Sequence, residues 1–296
     1  MKLCNRVSTP WICGFLCGVC VSGAAWITDR LPAPVANAQE AAKKPAMQAT
    51  PKESPLFRGL DANLFMQTSA EYRACCLQAF NLADRVVIDC LKLANQPVSD
   101  KRSAVVFDLD ETVLDNGRFQ TKQIRDGVAF DAGRWTNWEQ NGGSELDVIP
   151  GAKPFIQKLA SLGIERVYIT NRNETCHAQT LEALERLGIS VPPDQLLCAS
   201  EATGTNKTKR RESVEARFQV LLYIGDNLRD FDEVFRYNEQ TGIDGRKKLV
   251  DKRSEKFGRD WIILPNSAYG EWLKPLGRGE ADANQLLPNV ARLSEP

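Results

Sequence analysis

Five consecutive residues, Asp108-Leu109-Asp110-Glu111-Thr112, set two carboxylates and a hydroxyl at alternate positions directly after the apolar run 104–107. Three further segments carry groups of the same kind: Thr170-Asn171-Arg172, Lys207, and Gly225-Asp226-Asn227-Leu228-Arg229-Asp230. Carboxylates with one lysine and no histidine suit a hard, oxygen-seeking cation, and Mg²⁺ fits best because it accepts few protein ligands. Asp108 and Asp226 are the candidate ligands. A phosphate monoester could approach such a carboxylate once metal and lysine had cancelled the repulsion. In-line attack by Asp108 would give an aspartyl-phosphate that water can hydrolyse. Asp110 is suited to proton traffic, first to the leaving alkoxide and then from the attacking water. Thr170 would hold a phosphoryl oxygen and Lys207 would offset charge. Each residue alone has a duller reading: paired aspartates cap helices or bind structural calcium, Thr170 could be a strand-end hydroxyl, and Lys207 to Arg211 a solvated helix face. The set, in this order, favours chemistry.

The rest of the composition narrows the field in the same direction. The chain has 296 residues, 38 Lys+Arg against 38 Asp+Glu, and a single histidine, His177. Mechanisms needing two histidines are excluded, among them multi-His zinc sites and HExxH hydrolases. Zero net charge speaks against a nucleic-acid polymer as partner, since phosphate contacts normally show as a basic excess. His177, one turn into the helix expected after Thr170, reads as a surface or packing residue.

Those groups need a scaffold that brings four separated segments to one rim. Short apolar runs at 104–107, 167–170, 196–199, 220–224 and 261–264 alternate with helical patterns near 151–162, 174–187 and 207–217. Continuous apolar runs suit parallel strands covered on both faces, so the fold is expected to be α/β and doubly wound. Ligands collect at the carboxyl ends of such strands, where the polar clusters fall. Ahead of them, Tyr72, Cys75, Cys76, Ala79, Phe80, Ala83, Val86, Val87, Cys90 and Leu91 recur at the spacing of one long amphipathic helix that would pack on the sheet.

The N-terminal segment reads as an address. Lys2 and Arg6 precede an uncharged stretch from Trp11 to Ile27, and Ala36-Asn37-Ala38 gives a small-x-small cleavage pattern, with Ser22-Gly23-Ala24 an earlier alternative. Residues 1–38 are therefore expected to be a signal peptide, which makes the chain periplasmic or extracellular. An uncut segment would instead be a membrane anchor, at the lower edge of a bilayer span. Lipid attachment is disfavoured, because large residues precede Cys13, Cys17 and Cys20. Residues 39–56, rich in Ala, Lys, Pro, Glu and Gln, read as a disordered tether, and 279–296 as a flexible tail. Of nine cysteines, Cys75, Cys76, Cys90, Cys176 and Cys198 lie beyond the address, and small buried hydrophobes are the expectation for them rather than a disulfide framework.

With these motifs the chain resembles the haloacid dehalogenase (HAD) superfamily, and within it the class C acid phosphatases of the bacterial lipoprotein e type. The four motifs read DLDET, ITNR, NKTKRR and GDNLRD, and the flanks TSAEYRACCLQAFNLA, RWTNWEQ, VIPGAKPF and ILPNSAYGEW follow in the family's order. The resemblance implies a HAD-like Rossmannoid sheet with a smaller, mainly helical cap, in a domain over 57–278 whose cap is built from about 57–98 and 114–148. It implies hydrolysis of small phosphomonoesters, including nucleoside 5'-monophosphates. Asp108 would be the nucleophile, Asp110 the acid/base, and Thr170, Asn171 and Lys207 the phosphate-binding groups. Mg²⁺ would be held by Asp108, the carbonyl of Asp110 and Asp226, with Asp230 as a further ligand or close behind them. Phe119 and Tyr269 match the family's positions that stack a substrate ring, with Trp135 and Trp138 in the cap as further contacts or as packing. A homodimer is left open. Two other outcomes compete: a phosphotransferase, in which an alcohol replaces water, and a non-catalytic binding protein that keeps only the fold.

Overall fold

The computed structural model describes residues 59–93, 101–128 and 130–276. The expected signal peptide, tether and tail lie outside them. The elements in chain order are α1 (Leu60–Thr68), α2 (Ala70–Leu93), β1 (Ser103–Phe107), β2 (Leu114–Asp115), α3 (Gly117–Asp126) and α4 (Ala132–Asn141). There follow β3 (Asp147–Val148), α5 (Ala152–Ser161), β4 (Glu165–Asn173), α6 (His177–Arg186), β5 (Leu196–Ala199) and α7 (Thr208–Arg217). The last are β6 (Gln219–Gly225), α8 (Leu228–Phe231), α9 (Gly242–Asp251) and β7 (Trp261–Ile263).

Five strands form one parallel sheet in the order β5-β4-β1-β6-β7. The chain runs outward from β1 through β4 to β5, then returns to the other side of β1 for β6 and β7. That reversal beside β1 opens a crevice at the carboxyl ends of β4, β1 and β6, where a ligand site belongs in such sheets. All five sequence-expected strands are present, and the fold is the expected α/β class.

Strand residues alternate between two packed faces. Val105 and Phe107 point to one side with Tyr168, Leu222, Ile224 and Ile262, where α2, α5 and α6 cover them. Ala104 and Val106 point to the other with Val167 and Ile169, against Val214 and Phe218 at α7. The runs are continuously apolar because both faces are dry. Phe107 stacks on Tyr168 at 5.4 Å and meets Phe155 of α5 edge-on at 6.0 Å. A third cluster, Phe231, Phe235 and Trp261, closes the β7 edge.

Helix α2 lies on the sheet as its periodicity requires, with Tyr72, Cys76, Phe80, Ala83 and Val87 buried. Cys75 departs from expectation: it is exposed, because position 75 falls one step outside the buried stripe. The five described cysteines are all unpaired. Among the described residues no helix is long and apolar enough to cross a membrane. The connection from β1 to α5 carries α3, α4 and the two-stranded β2-β3 ribbon, which the sequence pattern did not reveal because two-residue strands have no period.

Tyr168 supplies a test of the core. Its ring is fully buried, and its hydroxyl has no hydrogen-bond partner among the described residues. Burial alone drives the phenol's pKa upward. Tyr168→Phe should therefore leave folding free energy unchanged or raise it by about 1 kcal/mol. Denaturant melts of the two proteins read this out, and a clear loss of stability would show that the hydroxyl is engaged.

Candidate active site

The tight turn after β1 is organised around one carbonyl. Leu109 O accepts from the backbone N–H groups of Val113 and Leu114, both at 2.8 Å, and Glu111 N–H donates to Leu114 O at 2.8 Å. Glu111 pays for this turn with a left-handed backbone, φ 59°, at about 1 kcal/mol or more for a side chain with a Cβ. Its buried carboxyl holds the Asn116 N–H at 2.9 Å. Burial, then the charges of Asp110 and Asp226, push Glu111 well above the usual carboxylate range. The turn sends Asp108 and Asp110 to different neighbours.

Asp108 faces β6 and α7. Its backbone N–H donates to Ile224 O at 2.8 Å, which seats it against the end of β6. Lys207 Nζ donates to Asp108 Oδ1 and, at 2.8 Å, to Asp230 Oδ1. The Thr112 hydroxyl stands 3.3 Å from Asp108 Oδ2 and 3.4 Å from Asp226 Oδ1. Asn266 holds the other oxygen of Asp226 at 2.7 Å. Asp230 has a local reason for its spacing: its Oδ2 accepts the Asn227 N–H at 2.9 Å, closing a capping box on α8 and leaving Oδ1 for Lys207.

Ligand oxygens of Asp108, Asp226 and Asp230 all lie within 4.8 Å of one another. Three carboxylates against one ammonium leave two negative charges uncompensated, the charge of one divalent cation. The donors are all oxygen, so the set fits a hard cation such as Mg²⁺. Burial, then the Asp230 charge, push Asp108 up to about 7 against the pull of Lys207. Asp226 is raised well above its ordinary value by burial and by the same neighbours. Burial works against the charge on Lys207, but Asp108 and Asp230 outweigh it and hold the ammonium firmly protonated. A cation here would relieve the repulsion that raises both aspartates.

Asp110 faces the other way, toward β4. Arg172 grips it through Nη2 at 2.7 Å and Nε at 3.0 Å, and the Asn116 side-chain amide adds a bond at 3.0 Å. The Thr170 hydroxyl lies 3.5 Å from its Oδ2 and accepts the Arg172 N–H at 3.1 Å. Asn116 joins the two layers, since its Oδ1 accepts Trp138 Nε1 at 2.8 Å. Asn171 is exposed, and its side-chain oxygen accepts from Arg210 at 2.9 Å. Arg210 also donates to Thr170 O and to the carbonyls of Gly204 and Asn206, so it ties the loop before Lys207 to the end of β4. Glu233 accepts the Lys207 N–H at 3.2 Å and pairs with Arg229, which reaches Glu271 at 3.3 Å.

The expected carboxylates, Thr170 and Lys207 thus converge on one rim. The aromatic residues are arranged differently from expectation. Phe119 is only 5 % exposed, its ring packed on Trp135 at 5.1 Å and Trp138 at 5.6 Å, so little of its face is open to a substrate. Trp135 and Tyr269 are half-buried. His177 bonds Pro193 O at 3.1 Å, a packing role. Sequence reasoning gave no role to Arg172, Asn116, Glu139 or Arg210. The quoted motifs and flanks contain Arg172, Glu139 and Arg210, and Asn116 follows the first motif by four residues, but only three-dimensional proximity to the aspartates marks them out.

Three known proteins and one family model frame this geometry. The model for the HAD superfamily, subfamily IIIB acid phosphatases matches residues 49–272. A class C acid phosphatase from Bacillus anthracis with tungstate bound superposes with a TM-score of 0.72 at 28 % identity, covering 82 % of this chain and 99 % of that one. A second structure of the Bacillus anthracis enzyme gives 0.71 at 29 % identity, covering 81 % and 98 %. Acid phosphatase 1 of Solanum lycopersicum is 27 % identical over 136 residues, 44 % of this chain and 52 % of its own length. Vegetative storage protein 2 of Arabidopsis thaliana is 28 % identical over 142 residues, 46 % of this chain and 52 % of its own length. The chain spans about half the length of these two curated relatives.

Gly225 tests how tightly the acidic cluster is built. A Cβ there would lie 2.5 Å from Asp230 Oδ2 and 2.6 Å from its Cβ. Gly225→Ala should therefore displace Asp230, break the capping box and lower stability by about 1–3 kcal/mol. Thermal or denaturant melts check this, and wild-type stability would mean that Asp230 moves freely.

Proposed function

The chain belongs to the acid phosphatase family of HAD subfamily IIIB, and we propose that it is an exported, Mg²⁺-dependent phosphomonoesterase whose substrates include nucleoside 5'-monophosphates. The observation that carries this reading is the junction of Asp108, Asp226 and Asp230 with Lys207 bonded to the first and last of them. Such a junction suits a nucleophilic carboxylate that must receive a dianion.

Asp108 attacks phosphorus in line, forming an Asp108 acyl phosphate as the bond to the leaving oxygen breaks. Asp110 gives its proton to that oxygen, then takes one from the water that attacks the acyl phosphate, releasing phosphate and restoring Asp108. Lys207 and the Thr170 hydroxyl neutralise and orient the phosphoryl oxygens. Bound Mg²⁺, held by Asp108, the Asp110 carbonyl, Asp226 and Asp230, would supply positive charge against the dianion. For a nucleotide, Trp135 and Tyr269 offer partly open rings for the base, and Phe119 backs Trp135 instead of presenting its own face.

A storage protein among the relatives gives the non-catalytic reading its support. Against it stand Asp108, Asp110, Thr170, Lys207 and Asp226, all present and converging. The phosphotransferase reading differs only in what resolves the acyl phosphate, and a competing alcohol in the assay would divert product if it held.

Purified chain from residue 39 onward should hydrolyse p-nitrophenyl phosphate and nucleoside 5'-monophosphates, with excess chelator removing turnover and Mg²⁺ restoring it. Asp108→Asn should lower turnover by more than about 1000-fold. Full activity in chelator, or unaltered turnover in the variant, would sink the mechanism. Equal rates on nucleotides and small aliphatic phosphates would remove the base contact.

The titration of Asp108 gives a second expectation. Its folded pKa, near 7, lies above its unfolded value, so without metal the carboxyl keeps its proton at pH 5 and its ionisation costs stability as pH rises through 7. Mg²⁺ must compete with that proton. Added Mg²⁺ should thus raise Tm more at pH 7.5 than at pH 5. Scanning calorimetry at the two pH values decides it, and an equal or reversed increment would count against Asp108 as a ligand.

A further inference from the structure

Arg172 has no part in the reaction as proposed, yet it is the largest fully buried side chain among the described residues, at 1 % exposure. A guanidinium taken out of water needs partners on every side. Toward the site, its Nη2 and Nε donate to Asp110 Oδ1 at 2.7 and 3.0 Å, and Nε also reaches Oδ2 at 3.2 Å. With Asn116 at 3.0 Å, Oδ1 takes three donors. Oδ2 has only that longer Nε contact and the Thr170 hydroxyl at 3.5 Å. The fork therefore fixes the plane of the carboxylate and leaves Oδ2 as the oxygen free to exchange a proton.

Away from the site, Arg172 is held by the segment between β1 and α5. The Trp135 ring lies 5.8 Å from its guanidinium carbon, and Asn116 Oδ1 accepts Nη2 at 3.3 Å. Glu139 of α4 is 3 % exposed, has one oxygen without a partner, and acts electrostatically on both Arg172 and Asp110. Burial, then the Asp110 charge, push Glu139 up to about 7 against the pull of Arg172, so above that pH its carboxylate supplies the counter-charge that a shared guanidinium needs once Asp110 gains a proton.

We infer that Arg172 is the positioning residue for Asp110, presenting Oδ2 to the leaving oxygen and then to water, and that Glu139 holds Arg172 in that pose. This rests on the phosphatase reading above. The role belongs to both proton transfers: one as the Asp108–phosphorus bond forms and the ester bond breaks, the other as the water–phosphorus bond forms and the Asp108–phosphorus bond breaks.

The leaving group separates positioning from other roles. An alkyl phosphate needs a proton on its leaving oxygen in the first step, whereas p-nitrophenyl phosphate releases a stable phenolate without one. Arg172→Lys keeps the charge but removes the fork. In it, kcat/KM for an alkyl phosphate should fall about 100-fold, while kcat/KM for p-nitrophenyl phosphate stays near that of the wild type. Inhibition by inorganic phosphate should be unchanged, and acid quench with phosphorus-labelled p-nitrophenyl phosphate should trap more phosphoenzyme. Glu139→Gln, nearly isosteric, should show the same pattern to a smaller degree, and it carries the test if the lysine variant does not fold. Equal losses on both esters would overturn the inference in favour of general damage. Weakened phosphate inhibition with a raised KM would overturn it in favour of direct phosphate contact. A wild-type protein that cleaves neither ester overturns the phosphatase reading itself and the inference with it, an outcome distinct from any pattern confined to the variants.

Discussion

Three carboxylates within 4.8 Å of one another, Asp108 buried and Asp226 and Asp230 half-buried, with a single ammonium among them, are a standing electrostatic strain. Water screens it only in part, and each added negative charge raises the proton affinity of the others. Two remedies exist, protons or a cation. Burial and mutual repulsion raise Asp108 and Asp226 above the usual carboxylate range, which is the direction of the first remedy. An enzyme that uses Asp108 as a nucleophile needs the second, because a protonated carboxyl does not attack. A place for a divalent cation therefore follows from burial and charge count as much as from family membership.

The surrounding structure can be read as the means of holding that strain in place. Asp108 sits on the end of β1 by a backbone bond to β6, so its position is as rigid as the sheet. Asp230 is fixed by its own helix cap, and Gly225 leaves no room for a Cβ beside it. Lys207 enters from α7, and two arginine networks keep its loop down: Arg210 on the carbonyls of Thr170, Gly204 and Asn206, and Arg229 with Glu233 and Glu271. Sheet, cap and ion pairs each fix a different part of the site.

Much of this was legible from the sequence, for identifiable reasons. Strands buried on both faces leave continuous apolar runs, and polar groups at their carboxyl ends had to meet because the connections are parallel. The convergence of Asp108, Asp226 and Lys207 is therefore legible in the sequence. Phe119 was placed at the rim but not inside its aromatic cluster, because burial depends on Trp135 and Trp138, which reach it through space. Cys75 misled by residue type: cysteine is commonly buried, yet its helical phase points outward. Glu111 gave no sign of its left-handed backbone, which the turn imposes on a residue that does not favour it. Arg172 was the largest omission. An arginine after a strand is ordinarily solvated, and nothing in its neighbours along the chain announces a buried partner sixty-two residues away.

Asp108 and Asp110 stand two residues apart yet are given different cations, and on the proposed mechanism that difference divides their labour. Lys207 offers Asp108 a point charge on a flexible stem, shared with Asp230, which lowers repulsion without fixing the angle of the carboxylate. Arg172 offers Asp110 a planar fork that fixes the angle and occupies one oxygen. A nucleophile has to rotate onto phosphorus and accept a new bond, so a point charge that can follow it is appropriate. An acid/base has to deliver and collect a proton along one line in two successive steps, so a rigid fork is appropriate. Environments that differ around chemically identical groups are the general means of assigning acid, base and nucleophile within one site. Here the turn on Leu109 O turns one aspartate toward β6 and the other toward β4, where the start of α7 supplies the lysine and β4 the arginine.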